Sequence, residues 1–468
     1  MLEKFIIERI KNELPFVPNE GQEVLLGHLG RFLVSRDEHK AFLLRGYAGT
    51  GKTSIVSALV RALDKLHQSC VLLAPTGRAA KVLSHYSGFP AYTIHKHIYR
   101  QERIDSESFG LSENKLYNTL FIVDEASMIS AEKDNPTFGS GNLLEDLIRF
   151  VYCEHHCSVL FLGDDAQLPP VGQIESMALD ADYLSGFGLT LSSCSLTQVA
   201  RQALDSQILV EATAIRERLN TTLSIQTINE GKDICRLTGG EDFLEQLERS
   251  YREVGLEETL IVTRTNKRTN LYNQGVRNRI LWREEAISTG DRMMVSKNNY
   301  FWTEKYDNLP FLANGDILEV VRLRNERELY GYHFVDVSLK AVDYDWEIDA
   351  VLWLDTLTTD SPEANYALQK DLWAKIAEDY PEIKSRKELW KTIKDNPYYN
   401  ALQVRFAYAV TCHKAQGGQW KHVYIENDGL KRLRLNDEMM NLEERKEYLR
   451  WLYTALTRSS EQVFLLNC

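Results

Sequence analysis

A glycine-rich stretch between an apolar run and a helical pattern constrains the fold of this chain more than any other feature. Residues 41–45 (Ala-Phe-Leu-Leu-Arg) are typical of a buried parallel strand, and residues 55–63 have apolar side chains at helical spacing. Between them, residues 46–54 match the pattern G-x-x-x-x-G-K-[ST]. Glycines let backbone N–H groups close around phosphate oxygens, and the start of a helix adds partial positive charge. The stretch predicts a nucleoside triphosphate site in an α/β fold.

The residues of this loop have separate expected roles. Lys52 is expected to reach the β and γ phosphates, and the Thr53 hydroxyl to hold Mg²⁺. Gln22 is added because an amide offers a donor and an acceptor together, which suits the edge of adenine; the alternative is a solvated helix residue. The predicted nucleotide-binding set is therefore Gln22, Gly46, Gly49, Thr50, Gly51, Lys52, Thr53 and Ser54.

Two further apolar runs end in polar side chains that suit hydrolysis. Residues 120–123 lead into Asp124 and Glu125. Asp124 is expected to organise a hydrated Mg²⁺, and Glu125 to orient or deprotonate the attacking water. Paired acids at a strand end are often only solvated, but behind such a loop they favour hydrolysis over nucleotide binding alone. Gln167 stands in the proline-braced loop after the next run, where it is expected to sense a γ-phosphate.

Composition limits the partners and the compartment. The 468 residues predict roughly three domains at about 150 residues each. The net charge of −12 means that a nucleic-acid partner needs a local groove with its own basic lining. No apolar run approaches the roughly 20 residues that cross a bilayer. The seven scattered cysteines form no disulfide framework, so we expect a cytoplasmic protein with no membrane partner.

The second half of the sequence predicts another α/β unit interrupted by an insert. A strand and helix pattern returns near Thr259, and short alternating strands after Gly290 are typical of a small β-barrel. The predicted organisation is a first domain at 1–190 with a small insert at about 97–119, a second domain at 191–289 and 401–468, and a β insert with a helical extension at 290–400.

Eight stretches together resemble the motifs of superfamily 1 DNA helicases of the 5′ to 3′ branch, which includes RecD-like and phage Dda-like enzymes. The resemblance covers nearly the whole chain, and it rests on residues 46–54, 74–81, 93–95, 123–127, 163–172, 199–202, 411–417 and 453–458. It implies two RecA-like P-loop NTPase domains, with ATP in the cleft and an SH3-like β-barrel insert in the second domain. The implied activity is ATP-dependent 5′ to 3′ translocation on single-stranded DNA with duplex unwinding.

The resemblance also implies roles for individual residues. Gln22 would read adenine, and Gln167 would approach the γ-phosphate. Arg201 and Arg458 would act across the cleft as arginine fingers. The side chains implied to face DNA are Pro75, Thr76, Thr93, His95, Asn266, His413 and Lys414. Ala415 departs from the family pattern, in which Ser is frequent. The implied partners are single-stranded DNA, its junctions with duplex, and proteins of replication, DNA repair or recombination.

Phe109 is the hypothesised strand-separating residue. It is the only large aromatic between Tyr99 and Tyr117, and it is flanked by Ser108 and Gly110 as at the tip of a turn. The alternative is that Phe109 packs on the first domain and anchors a loop. Two other function classes stay open: a P-loop ATPase that acts as a switch, and a nucleic-acid-binding protein without unwinding activity.

Overall fold

The computed structural model describes residues 1–101, 109–133, 138–153, 156–198, 206–303, 305–306, 311–343, 346–359, 361–427 and 441–466. The helices in these ranges are α1 (Leu2–Asn12), α2 (Glu20–Val34), α3 (Lys52–Lys65), α4 (Gly77–Ser87), α5 (Ile94–Ile98), α6 (Leu143–Tyr152), α7 (Ala181–Ser185), α8 (Gln207–Asn220), α9 (Gly240–Glu253), α10 (Asn266–Arg279), α11 (Pro362–Ala377), α12 (Arg386–Lys394), α13 (Cys412–Ala415) and α14 (Leu442–Leu456). None of them is long and apolar enough to span a membrane.

The strands form three larger sheets and one hairpin. They are β1 (Lys40–Gly46), β2 (Cys70–Ala74), β3 (Ala91–Thr93), β4 (Tyr99–Gln101), β5 (Phe109–Leu111), β6 (Leu120–Val123), β7 (Ser158–Gly163), β8 (Thr190–Leu196), β9 (Ile234–Leu237), β10 (Thr259–Thr263), β11 (Arg292–Val295), β12 (Ile317–Leu329), β13 (Tyr332–Ala341), β14 (Glu347–Trp353), β15 (Val404–Phe406), β16 (Ala409–Thr411), β17 (Trp420–Glu426) and β18 (Ser459–Leu466).

The first sheet brings the nucleotide-binding motifs to one edge. Its order is β3-β2-β6-β7-β1-β8, and every pairing is parallel. Strands β6 and β7 are buried along their whole length, as expected for strands with both faces covered. Because parallel strands end at the same edge, the loops after β1, β6 and β7 lie side by side, where open α/β sheets bind ligands.

The second sheet repeats the arrangement on a smaller scale. Its order is β16-β10-β17-β18-β9, again parallel throughout. Its core includes the apolar face of α14, and Ala166 and Leu168 of the first domain are buried in the same cluster. Two α/β domains are confirmed, and they share packing at the carboxyl edge of the first sheet.

The insert is an antiparallel sheet that closes on itself. Its order is β14-β13-β12-β11-β15. Leu402, just before β15, connects the two edges, because its N–H donates to the carbonyl of Val351 and its carbonyl accepts from the N–H of Trp353. The helical extension packs on this small barrel, with Leu372, Ile376 and Ile393 buried beside Phe334 and Trp353.

Two predicted boundaries differ from the structure. The boundary at 190 cuts off β8, which pairs with β1, so the first sheet extends to Leu196. The boundary at 401 precedes β15, which belongs to the barrel; the strand then breaks, and the second sheet resumes at β16. Asn273 stabilises the break, because its amide donates to the carbonyls of Phe406 and Ala409 and accepts from the N–H of Ala409.

Candidate nucleotide site and nucleic-acid interface

The loop after β1 has the geometry of a phosphate cradle. Gly51 precedes the first residue of α3 with φ +85°, and a Cβ there would lie 2.7 Å from Nε2 of Gln22, so only glycine fits. Lys52 folds over the loop and donates from its ammonium to the carbonyls of Gly46 and Tyr47. An ammonium held by two carbonyls at this place is available to a phosphate, which is the stronger acceptor.

Gln22 supports the loop from behind. It is 2% exposed, so the alternative of a solvated helix residue is wrong. Its Nε2 donates to the carbonyl of Thr50 at 3.0 Å, and its Oε1 accepts from the N–H of Asn19 at 3.0 Å in the capping box of α2. Sequence reasoning missed the contact with Thr50. Adenine recognition by Gln22 stays a prediction.

The paired acids lie half-buried at the end of β6, in a strained arrangement. Burial raises the pKa of Asp124 to about 6, and the Glu125 carboxylate adds to this, while the Lys52 ammonium opposes it. Glu125 adopts the left-handed conformation at φ +51°, which is uncommon for a residue with a side chain and clusters at functional sites. A divalent cation would relieve the repulsion, and the Thr53 hydroxyl and Asp124 carboxylate are ligands of the kind that Mg²⁺ prefers.

Gln167 lies in a cleft between the two domains. It is 6% exposed, and its Oε1 accepts no hydrogen bond from any described residue. The cleft has a volume of about 310 Å³, and its lining includes Tyr47 and Gln167 from the first domain and Arg216 and Arg450 from the second. A buried acceptor without a partner is costly unless a ligand or water satisfies it, and the contact of Gln167 with a γ-phosphate stays a prediction.

The two predicted arginine fingers have different outcomes. Arg201 lies outside the described residues. Arg458 is buried just after α14, and its guanidinium donates to the carbonyls of Thr454 and Gly418 and to the hydroxyl of Thr457, all in the second domain. The structure therefore holds Arg458 within its own domain, and its action across the cleft stays a prediction.

The residues predicted to face DNA from the first domain lie together after β2 and β3, which are neighbours. Thr76 and Thr93 are N-caps, with side chains accepting from the N–H groups of Ala79 and Lys96; Pro75 directly precedes the first of them. His95 is half-buried beside the rings of Tyr99 and Phe138. Burial lowers the pKa of His95 to about 4, so its imidazole is neutral at physiological pH and offers hydrogen bonds, not charge.

The second group lies at the matching edge of the second sheet. Asn266 begins α10 after β10, and His413 and Lys414 lie in α13 after the neighbouring strand β16. Lys414 is exposed overall, but desolvation around its ammonium lowers its pKa to about 8, and it donates to Oδ1 of Asn314. Burial also lowers the pKa of His413.

The two groups of predicted DNA-facing residues meet where the two α/β domains contact each other, which we call the domain seam. A Cβ on Gly417 would lie 3.1 Å from Oγ1 of Thr76, so the loop after α13 approaches α4 closely. Arg78 and Lys81 of α4 also pair with Asp343 of the insert at 3.2 and 3.5 Å. Sequence reasoning missed these cations, because nothing local in 78–81 points to an acid more than 260 residues away.

Phe109 is not at a hairpin tip. The predicted small insert contains a hairpin of β4 and β5, and residues 102–108 lie outside the described residues. Phe109 is 3% exposed and packs against the rings of Phe138, Tyr300 and Phe311, with centroids 4.7 to 5.8 Å away. Tyr300 and Phe311 come from the insert, so this cluster connects the two domains. These contacts favour the packing alternative, and the strand-separating role stays a prediction.

Phe109→Ala is expected to destabilise the protein by about 3 to 5 kcal/mol, because it removes a ring from a filled aromatic cluster. Urea unfolding measures the change. Phe5→Ala is the control, because Phe5 is 45% exposed, and its loss should cost under about 0.5 kcal/mol. Wild-type stability combined with a loss of unwinding would support the strand-separating role.

Two family models match the chain. Residues 29–234 match an AAA domain, and residues 406–466 match the UvrD-like helicase C-terminal domain. The first covers the nucleotide loop, the paired acids and Gln167, and the second covers the strands and helix that face them. The resemblance to superfamily 1 helicases of the 5′ to 3′ branch, expected from the sequence, is confirmed.

The proteins similar to this chain include an uncharacterized protein and others that are named as helicases. Protein R530 of Acanthamoeba polyphaga mimivirus, which is uncharacterized, is 21% identical over 95% of this chain and 99% of its own length. The ATP-dependent DNA helicase dda of Enterobacteria phage T4 is 25% identical over 64% of this chain and 67% of its own length. Among solved structures, Pif1 helicases at forked double-stranded DNA align over 96% of this chain and 92% of theirs, with 15% identity and a TM-score of 0.47.

Proposed function

We propose that this chain is an ATP-dependent DNA helicase that translocates 5′ to 3′ on single-stranded DNA and unwinds duplex. One arrangement supports the proposal. The nucleotide loop and the paired acids of the first domain lie against the second α/β domain, and both groups of predicted DNA-facing residues lie at the seam between these same two domains. A motor needs this arrangement, because hydrolysis must change how two DNA-holding domains sit relative to each other. A nucleotide switch does not need the second group.

The nucleotide site divides the work of hydrolysis among named residues. Lys52 neutralises the terminal phosphates, and Thr53 and Asp124 would hold Mg²⁺, which would supply charge stabilisation at the transferring phosphoryl group. Glu125 orients and deprotonates the attacking water. Gln167 contacts the γ-phosphate through its buried amide. Arg458, with Arg201, supplies positive charge from the second domain when the cleft closes.

Single-stranded DNA, up to its junction with duplex, is the proposed track. In a chain with a net charge of −12, the seam concentrates cations, with Arg78 and Lys81 on one side and Lys414 on the other. Phosphate contacts position a strand without reading its sequence, which suits a motor that must move along any sequence. The relative from phage T4 is named as a DNA helicase, and replication or repair proteins are the partner class that this activity implies.

The discriminating experiment is ATP hydrolysis measured with and without a single-stranded oligonucleotide. The proposal expects strong stimulation by the oligonucleotide, weak stimulation by blunt duplex, and none in Lys52→Ala. ATP hydrolysis at the same rate with and without DNA would favour a P-loop ATPase that acts as a switch. DNA binding without ATP hydrolysis would favour a nucleic-acid-binding protein without unwinding activity.

A further inference from the structure

The second domain holds the backbone on the carboxyl side of Gln167. The N–H of Leu168 donates to Oγ1 of Thr454 at 2.9 Å, and the carbonyl of Leu168 accepts from Nε2 of Gln416 at 2.6 Å. Backbone groups are ordinarily paired within their own sheet, helix or turn. Here both polar groups of one residue in the first domain are satisfied by side chains of the second, so the position of this loop depends on the position of the second domain.

Tyr453 holds the other side of the same loop. Its hydroxyl donates to Oδ2 of Asp164 at 2.6 Å and accepts from the N–H of Ala48, in the nucleotide loop, at 3.0 Å. Tyr453 and Asp164 are each 1% exposed. A short hydrogen bond to a buried carboxylate is stronger than one between neutral groups. Helix α14 therefore connects directly to both the nucleotide loop and the loop that carries Gln167.

Gln167 lies between these two anchored points. The residue after it is held by Thr454 and Gln416, and Asp164, three residues before it, is held by Tyr453. Its own amide oxygen lies in the cleft without a described hydrogen-bond donor. Arg458 follows the same helix two residues after its end. A shift of α14 would thus move the loop of Gln167 and the guanidinium of Arg458 together.

We propose that Tyr453, Thr454 and Gln416 are positioning residues through which the second domain sets Gln167 for the γ-phosphate. The inference rests on the proposed function and adds a physical connection between the position of the second domain and hydrolysis. Because coupling between two sites is reciprocal, DNA that favours this arrangement of the two domains favours a competent Gln167, and phosphate held by Gln167 favours the same arrangement.

The test removes one hydroxyl at a time. Tyr453→Phe deletes two hydrogen bonds and Thr454→Val deletes one, with little change in volume, and each should lower the DNA-stimulated kcat about tenfold, or about 1.4 kcal/mol on the barrier. The KM for ATP should change by less than about threefold, because the lost contacts act through Gln167. Tyr448→Phe is the matched control, because Tyr448 is buried on the same helix and its hydroxyl accepts from Asn427 within the second domain. Thr454→Ser should regain most of the rate that Thr454→Val loses.

A double-mutant cycle separates positioning from loss of stability. If Tyr453, Thr454 and Gln416 act through Gln167, then Tyr453→Phe should lower kcat little further in a Gln167→Ala background, because the effects of coupled residues are not additive. The inference would be overturned by additive losses of kcat in the double mutant, by wild-type rates in both Tyr453→Phe and Thr454→Val, or by an equal loss of kcat in Tyr448→Phe. If the wild-type chain shows no DNA-stimulated hydrolysis, the proposed function itself fails, which is a different outcome.

Discussion

Lys52→Ala is expected to lose ATP turnover, and Glu125→Gln is expected to bind ATP but hydrolyse it about 10² to 10⁴ times more slowly. Lys52 is the cation that lies over the nucleotide loop, held there by two loop carbonyls. Glu125 is the carboxylate in the left-handed turn beside Asp124. The amide of Gln fills the same space but takes no proton, so only the chemical step should suffer.

The measurement is steady-state hydrolysis with saturating single-stranded DNA, beside equilibrium binding of a fluorescent ATP analogue. Glu132→Gln is the control, because Glu132 is an exposed acid in the same segment. The control should keep the wild-type rate. Near-normal DNA-stimulated hydrolysis by Glu125→Gln would remove Glu125 from the role of base.

Arg458→Ala is the second large effect, with an expected loss of about 10³ to 10⁵ in kcat and only a small change in DNA affinity. Arg458 is 4% exposed, and its guanidinium donates hydrogen bonds to groups of the second domain. Its planar fork has five donors, so it can keep some of these bonds while it reaches a phosphate. Lysine offers a single point of charge, so Arg458→Lys should not restore the rate.

Loss of a buried arginine also perturbs packing, so a matched variant is needed. Arg218→Ala removes another buried arginine of the second domain, one that donates to the carbonyl of Ala214 in its own helix. Both variants should lose similar stability, but only Arg458→Ala should lose turnover at temperatures where both are folded. Loss of DNA binding with retained turnover in Arg458→Ala would show that its role is misassigned.

The functional residues that follow the parallel strands were predictable from the sequence, because their positions follow from local rules. An apolar run, a glycine-rich turn and a helical pattern specify a strand, a loop and a helix, and parallel strands then place their loops at one edge. Lys52, Asp124 and Gln167 follow from this reasoning. The antiparallel insert follows equally, because alternating short strands separated by turn residues favour a small barrel.

The contacts that decide individual roles were not predictable, because their partners are distant in sequence. Tyr453 bonds a backbone N–H 405 residues away, and no spacing rule connects the two. Phe109 looked like a turn tip from its neighbours, but three rings from elsewhere in the chain bury it. For Gln22 the sequence left a solvated helix residue open as the alternative, because a helical pattern does not reveal that its amide reaches Thr50. In each case tertiary packing overrode a local pattern.

Strand displacement with defined polarity tests the central claim most directly. Two duplexes of identical sequence are prepared, one with a 5′ single-stranded tail and one with a 3′ tail of equal length, and unwinding is followed under single-turnover conditions with ATP and Mg²⁺. Glu125→Gln, which should bind DNA without hydrolysis, is the control on both. We predict that the wild-type chain with ATP unwinds the 5′-tailed duplex and leaves the 3′-tailed duplex intact. Without ATP it should unwind neither duplex. Preference for the 3′ tail, or no unwinding despite DNA-stimulated hydrolysis, would contradict the account.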